Sequence, residues 1–174
     1  PLRRVKTMAN AEGTETHSYD QWIETITDRE SNTKALTRDA YGNLAQADEH
    51  NGASTYSTVY TYDALDNLTK ITDELDNIRN FTYDGLSRLT ASGDLHDIAD
   101  TTYGTTTYSY DDSGNVTGKT DPKSQTVSFT YDDINRALTE DYTGAGGTEI
   151  TYGYDFCGEG KGRRCSATTT DVVT

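Results

Sequence analysis

The sequence predicts an all-β chain, a repeat array of antiparallel β-hairpins, on three observations. The first is a tetrad of an aromatic residue, a spacer, a tyrosine and an aspartate. It stands at Tyr60-Thr61-Tyr62-Asp63, Phe81-Thr82-Tyr83-Asp84, Tyr108-Ser109-Tyr110-Asp111, Phe129-Thr130-Tyr131-Asp132 and Tyr152-Gly153-Tyr154-Asp155, with weaker copies at His17-Ser18-Tyr19-Asp20 and Leu36-Thr37-Arg38-Asp39. The second is period: the aspartates fall at positions 20, 39, 63, 84, 111, 132 and 155, at near-regular intervals. Recurrence at about 20–50 residues marks units that stack because none can bury its apolar face alone. The third is composition: 13 Tyr stand against 3 Phe and 1 Trp in a chain only 32% hydrophobic, and tyrosine and threonine suit pleated, half-buried surfaces.

Each element follows from its residues. In Phe81-Thr82-Tyr83 the rings are two places apart, so a strand points both to one face and Thr82 to the other, whereas a helix separates them by about 200°. After each aspartate comes one frame, as in Asp39-Ala40-Tyr41-Gly42-Asn43-Leu44, Asp63-Ala64-Leu65-Asp66-Asn67-Leu68, Asp84-Gly85-Leu86-Ser87-Arg88-Leu89 and Asp111-Asp112-Ser113-Gly114-Asn115-Val116. Aspartate bonds the backbone two residues ahead, and Gly, Asn and Asp tolerate positive φ, so the frame reads as a hairpin turn capped by Asp. A second turn joins units at Asp28-Arg29-Glu30-Ser31-Asn32, Asp73-Glu74-Leu75-Asp76-Asn77 and Asp121-Pro122-Lys123-Ser124-Gln125. Asp28, Asp73 and Asp121 stand at one and the same interval ahead of the repeat aspartates Asp39, Asp84 and Asp132, which fixes the register of the array. Residues 1–16 carry no clear repeat and read as an irregular remnant, with a turn at Ala9-Asn10-Ala11-Glu12-Gly13; residues 17–174 form an array of about seven hairpins. The longer connections, 45–57 and 92–106, are expected as surface insertions. The Asp20 copy has Trp22-Ile23-Glu24 in place of the Gly-Asn turn, and the Arg38 copy lacks its tyrosine.

The charge balance, 15 basic against 29 acidic residues for a net −14, opposes binding to phosphate backbones and to anionic membrane surfaces. Nucleic acid is therefore not an expected partner. No apolar run approaches the roughly 18 residues that a spanning helix needs, so no membrane span is expected. The start Pro1-Leu2-Arg3-Arg4-Val5-Lys6 has no apolar segment behind its basic residues and does not read as a signal peptide; the missing initiator Met suggests a piece of a longer protein. Cys157 and Cys165, with three glycines between them, suit a local disulfide in an oxidising compartment, with two free thiols on a loop as the alternative. His17, His50 and His96 lie far from them, which argues against zinc. His96, in Asp94-Leu95-His96-Asp97, reads as a solvated loop residue.

The repeated Tyr-Asp-x-x-Gly/Asp-Asn/Arg-Leu, with Asp-x-x-x-Asn midway, resembles the tyrosine-aspartate (YD, or Rhs) repeats of bacterial Rhs proteins, toxin-complex shell components and teneurins. The match runs from about Tyr19 to the end, and the tail from Tyr154 through Cys157 to Ser166 resembles a variant unit of some bacterial members. The resemblance implies a curved, spiralling sheet, part of a shell or open barrel, secreted or at the cell surface, often with a toxin held inside. No self-cleaving segment and no variable toxin follow the repeats, so enclosure is an expectation about a parent chain. About 14 strands at about 4.8 Å give a ribbon roughly 67 Å wide, a wall section rather than a container.

The aromatic rows, Tyr19, Tyr60, Tyr62, Phe81, Tyr83, Tyr108, Tyr110, Phe129, Tyr131, Tyr152 and Tyr154, read as a structural ladder from unit to unit. A sugar-binding surface is the alternative, since aromatic faces beside Asp and Asn serve carbohydrate. Turn capping is the expected role of Asp20, Asp39, Asp63, Asp84, Asp111, Asp132 and Asp155. The Asp-rich turns lack the EF-hand ligand alternation and its terminal Glu, which leaves only a weak calcium site as the other possibility. The sequons at Asn67, Asn80 and Asn115 read as by-products of the turn pattern. No nucleophile elbow, metal cluster or phosphate loop is present, so no enzyme and no cofactor are expected. The expected function is a structural wall segment, with a cell-surface or carbohydrate-binding adhesion module as the alternative. Expected partners are the rest of a parent chain or copies of this one at open sheet edges, with an enclosed toxin or a surface glycan beyond them.

Overall fold

The computed structural model describes residues 7–10, 13–142, 144, 148–158 and 161–169. The expected turn at 9–13 includes residues 11 and 12, which lie outside that set. Every regular element among the described residues is a strand. In chain order they are β1 (Thr7–Asn10), β2 (Gly13–Asp20), β3 (Ile23–Thr27), β4 (Thr33–Arg38), β5 (Leu44–Asn51), β6 (Ser54–Tyr62), β7 (Leu68–Thr72) and β8 (Asn77–Tyr83). There follow β9 (Leu89–Gly93), β10 (His96–Asp97), β11 (Thr105–Tyr110), β12 (Val116–Thr120), β13 (Thr126–Tyr131), β14 (Ala137–Tyr142), β15 (Ile150–Tyr154) and β16 (Arg164–Thr169). The pairings are antiparallel, and within each of the two units described next the strand order follows the sequence except at β10, which pairs with β8.

The chain divides into two compact units, Pro1–Phe81 with Leu95–Thr101, and Thr82–Asp94 with Thr102–Thr174. In the first, β1 pairs with β2 from Thr7 opposite Thr16 to Asn10 opposite Gly13, so pairing begins ahead of the first recognisable repeat. The meander continues to β8, and β10 lays His96 beside Ile78 and Asp97 beside Asn77. In the second unit β9 pairs with β11, and the order then runs to β16. The seven expected hairpins account for fourteen strands; β1 and β10 are the additional two.

One expected loop is strand. Residues 45–57 lie largely in β5 and β6, which pair from Gln46 opposite Val59 to Asn51 opposite Ser54. A two-residue turn closes them, with Gly52 at φ 61°, a conformation glycine adopts without a Cβ clash. The hydrophobic pattern missed this hairpin because Asp48, Glu49, His50 and Asn51 break the apolar alternation while the backbone still pairs.

A sheet surface without a second layer has little to bury it, and the core is correspondingly thin. Among the described apolar residues only Ala47 and Ile78 are buried, with His96 the one buried polar residue. The tetrad rings are half-buried and the spacers Thr61, Thr82, Ser109 and Thr130 exposed, the alternation of a strand with one covered face. On the spacer face hydroxyls meet across the hairpins, Thr82 with Thr90 at 3.0 Å, Ser109 with Thr117 at 3.1 Å and Thr130 with Thr139 at 2.6 Å.

Candidate functional site

The repeat turns and the tyrosines beside them are the most regular chemistry in the molecule. Eight turns, headed by Asp28, Asp39, Asp63, Asp73, Asp84, Asp111, Asp121 and Asp132, share one geometry. The aspartate N–H donates to the carbonyl four residues on, at 2.9–3.0 Å, and the N–H three residues on donates back to its carbonyl, at 2.9–3.2 Å. The fourth residue takes the left-handed region in every case: Ser31, Gly42, Asp66, Asp76, Ser87, Gly114, Ser124 and Asn135 lie at φ between 60° and 94°. This is the three-residue hairpin loop in which a type I turn precedes a left-handed residue. The unit-joining turns, distinct in sequence, are therefore the same structure as the hairpin turns.

The aspartate side chain holds that loop closed. At Asp63, Oδ1 accepts from the N–H groups of Leu65 and Asn67, both at 2.9 Å, and Oδ2 accepts from Asn67 Nδ2 at 3.0 Å. Asp28, Asp39 and Asp73 do the same. Asp111 accepts both bonds from Asn115, and Asp121 accepts from the Lys123 and Gln125 N–H groups. At Asp84 and Asp132 an arginine replaces the asparagine, and its Nε donates to Oδ2 at 2.7 and 2.6 Å. Donors aimed at the charged form hold the carboxyls of Asp28, Asp39, Asp63, Asp73, Asp84, Asp111 and Asp132 below the usual aspartate range. At Asp63 the Asn67 side chain is the main cause, and at Asp84 the Arg88 N–H leads, followed by its side chain.

Two expected caps differ. Asp20 pairs with Ile23 across a loop of Gln21 and Trp22, with Gln21 at φ 50°, because Trp22 occupies the place of the usual turn residues. Asp155 closes a wider loop: its N–H donates to the Arg163 carbonyl at 3.3 Å and its Oδ1 accepts from Gly162 N–H at 2.5 Å. Cys157 in that loop is bonded through its sulfur to Cys165 in β16, with Cα atoms 5.4 Å apart.

The second tyrosine of the tetrad ties one repeat to the one before it. Tyr62, Tyr110, Tyr131 and Tyr154 donate their hydroxyls to the carbonyls of Leu44, Leu89, Val116 and Ala137, at 3.1, 2.7, 2.8 and 2.8 Å. Each acceptor stands five residues after the preceding repeat's aspartate. A register shift immediately before this tyrosine recurs at Thr61/Tyr62, Ser109/Tyr110, Thr130/Tyr131 and Gly153/Tyr154; such bulges re-aim a side chain and add local twist. The first aromatic has no such common bond, and there Phe81 and Phe129 alternate with Tyr60, Tyr108 and Tyr152. Burial raises the hydroxyl pKa of Tyr62 and Tyr131 above the ordinary tyrosine value.

At Asp39, Asp84, Asp111 and Asp132 the residue four places on, to which the sequence assigned no role of its own, makes a further tie. Asn43 Nδ2 reaches Asp66 Oδ1 at 2.9 Å, and Asn115 Nδ2 reaches Asn135 Oδ1 at 2.8 Å. Arg88 Nη1 donates to the Asp111 carbonyl at 2.9 Å, and Arg136 Nη1 to Asp155 Oδ2 at 2.8 Å. These two guanidinium groups also stand over the Tyr110 and Tyr154 rings, 4.7 and 4.3 Å from the centroids, a cation–π contact. The sequence signal was there: only Asn or Arg, both able to donate twice, fill this place in the hairpin turns at Asp39, Asp63, Asp84, Asp111 and Asp132.

In the first hairpin a histidine replaces the leading aromatic. His17 Nδ1 lies 2.8 Å from Glu24 Oε1 and Nε2 lies 3.0 Å from Glu15 Oε1, while Tyr19 donates to Glu24 Oε1 at 2.9 Å. The Glu24 hydrogen bond is the main cause of a raised His17 pKa. His96 lies in β10 rather than in an open loop, and it is buried rather than solvated, because β10 folds back against β8. Among the described residues no group of three His, Cys, Asp or Glu side chains is gathered to hold a metal ion.

No curated protein matches the chain. Solved structures do. In the crystal structure of TcdB2-TccC3-Cdc42 the likeness covers 86% of this chain and 10% of that one, at 13% identity and a TM-score of 0.60. In the Tc holotoxin pore of Photorhabdus luminescens, carrying a TccC3 mutation, it covers 82% and 8%, at 19% identity and a TM-score of 0.65. Identities this low show the fold alone, and the chain spans about a tenth of the length of those chains. The RHS Repeat family matches residues 38–78, 62–102 and 110–144, which take in the turns at Asp39, Asp63, Asp73, Asp84, Asp111, Asp121 and Asp132; with its tetrads, its capped turns and this match over more than half its length, the chain belongs to the Rhs repeat family.

Proposed function

We propose that this chain is a non-enzymatic structural segment of a secreted or surface bacterial protein, its hairpin sheet serving as a length of wall around an enclosed toxin or in an extracellular appendage. The observation that carries the reading is the use to which each repeat puts its polar groups. Asp closes its own turn, Asn or Arg reaches the next turn, and Tyr reaches the preceding carbonyl. Chemistry that recurs in unit after unit holds a sheet together; a catalytic site departs from its surroundings. The toxin-complex neighbours, whose names include a holotoxin pore and TccC3 assemblies, support the same reading.

Exposed apolar turn tips add to it. Tyr41, Leu65, Leu75, Leu86 and Ile134 all stand two residues after a turn aspartate and are exposed by 63% (Leu65) to 85% (Tyr41), apolar points on the turns of each unit that suit abutting further lengths of wall. β16 has a single partner among the described residues, so strand addition by a parent chain or a second copy fits there. The test is limited proteolysis of the parent protein. Cargo downstream of the repeats is expected to resist protease until the repeats are unfolded; cargo cleaved as fast as in a parent lacking the repeats would refute the wall.

A further inference from the structure

Apart from the turns and tyrosine rows, one arrangement occurs once in each compact unit. In the first unit a cleft of about 400 Å³ opens beside the Asp28 turn, lined by Ile26, Asn32, Thr33, Lys34 and Tyr56 among others. In the second a cleft of about 290 Å³ opens beside the Asp121 turn, lined by Lys119, Gln125, Thr126, Val127 and Tyr142. The parts correspond. Each has a turn aspartate, an amide four residues on, a threonine after the amide, and an aliphatic residue paired across the strands with a lysine. That pair is Ile26 opposite Lys34 in one and Val127 opposite Lys119 in the other. Each row ends on a tyrosine, through Glu49 to Tyr56 in the first and directly at Tyr142 in the second.

These tyrosines are not tetrad residues, and they are open where the tetrad rings are half-covered: Tyr56 is 53% and Tyr142 40% exposed. The turn alone does not create the arrangement. At the third joining turn Ile71 still stands opposite Arg79, but His96 and Asp97 of β10 occupy the place alongside Ile78 and Asn77.

We propose that the two clefts bind the sugar rings of an uncharged glycan, in addition to and independently of the wall function. A pyranose presents an apolar C–H face and a rim of hydroxyls. An exposed tyrosine with an aliphatic neighbour matches the face, and amide, hydroxyl and ammonium groups match the rim. Charge selects the class. Lys34 is paired with Glu49 at 2.6 Å and lies in a cleft that also holds Asp28, and Lys119 shares its cleft with Asp121. Neither cleft offers the excess of positive charge a sulfated or phosphorylated chain needs, and the protein carries −14 overall.

The test is an NMR titration of the 174-residue chain with cellotetraose and chitotetraose as neutral probes and a heparin tetrasaccharide as the anionic one. A neutral probe is expected to shift the Tyr56 and Tyr142 ring signals with a Kd of about 1–10 mM, as suits shallow open clefts. The double variant Tyr56→Ala/Tyr142→Ala is expected to weaken binding by about ten-fold or more, Tyr56→Trp to retain it, and Tyr41→Ala, which removes a still more open ring outside both clefts, to leave it unchanged. The proposal fails if neither neutral probe shifts those rings, if the double variant binds as well as the parent while retaining its circular dichroism spectrum, or if the heparin probe binds more tightly than both. None of these results bears on protease protection of a cargo, so the two readings fail separately.

Discussion

Replacing the second tyrosines of the tetrad by phenylalanine removes one oxygen per repeat and leaves every ring in place. In the second unit Tyr110, Tyr131 and Tyr154 donate to Leu89, Val116 and Ala137 at 2.7–2.8 Å, and each bond is partly shielded from water. A hydrogen bond of this kind contributes about 0.5–1.5 kcal/mol net. The three sites lie in successive repeats, about two strand spacings or roughly 10 Å apart, so their effects should nearly add. The triple variant Tyr110→Phe/Tyr131→Phe/Tyr154→Phe is therefore expected to lose about 3 kcal/mol, or about 6–12 °C in Tm for a chain of this size. The matched control is Tyr60→Phe/Tyr108→Phe, at the first aromatic position, where Phe81 and Phe129 already stand; it should stay within about 0.5 kcal/mol per site. Urea and thermal unfolding followed by circular dichroism measure both. A control that loses as much per site as the triple variant, or a triple variant that loses less than about 0.5 kcal/mol, would show that ring burial rather than the hydroxyl joins the repeats.

Other outcomes follow from the same geometry. Ser87 sits at φ 60°, so Ser87→Val should destabilise by about 1–3 kcal/mol while Ser87→Gly is neutral or better, by urea unfolding. Asp28, Asp39, Asp63, Asp73, Asp84, Asp111 and Asp132 have folded pKa values below their ordinary ones; their contribution is present above the ordinary value and lost as pH falls through the folded value. Unfolding in acid should accordingly set in below about pH 4, and a pH titration of circular dichroism that stays flat to about pH 2 would contradict it. His17 runs the other way: with its pKa raised by Glu24 and Glu15, its contribution is complete below about pH 6.5 and is lost as pH rises through the folded value. Amide exchange in β2 and β3 should quicken over that range, and His17→Phe should abolish the dependence. Reducing the Cys157–Cys165 bridge, eight residues apart, should cost about 2–3 kcal/mol by loop closure, with faster exchange confined to β15 and β16.

The fold was legible because its signals agree. Paired rings two places apart specify strands, and Asp followed three residues later by Gly, Asp or Ser specifies a tight turn, so the hairpins had a start, a turn and a return. The turns headed by Asp28, Asp73 and Asp121 looked like a different device because no aromatic pair precedes them, yet the backbone treats them alike: what selects the loop is the aspartate and the left-handed fourth residue. The β5–β6 hairpin was hidden by polar residues on its outer half, where pairing of backbone groups, not an apolar face, sets the length of the strands. The histidine cluster was hidden for another reason. Glu15, His17 and Glu24 come together only because Tyr19 and Glu24 fall opposite one another across β2 and β3, and register is a property of the folded pair.

By itself, then, the sequence determined the period, the strand-turn-strand unit and the capping aspartates, since all of these rest on residues within a few places of one another. Only the tertiary structure decided which hydroxyl meets which carbonyl, that Asn43, Arg88, Asn115 and Arg136 reach into the following turn, and that Tyr56 and Tyr142 stand open beside joining turns. Those contacts join residues of different repeats and depend on strand register and on the bulge before each second tyrosine, and a bulge moves a side chain by an amount no local pattern encodes.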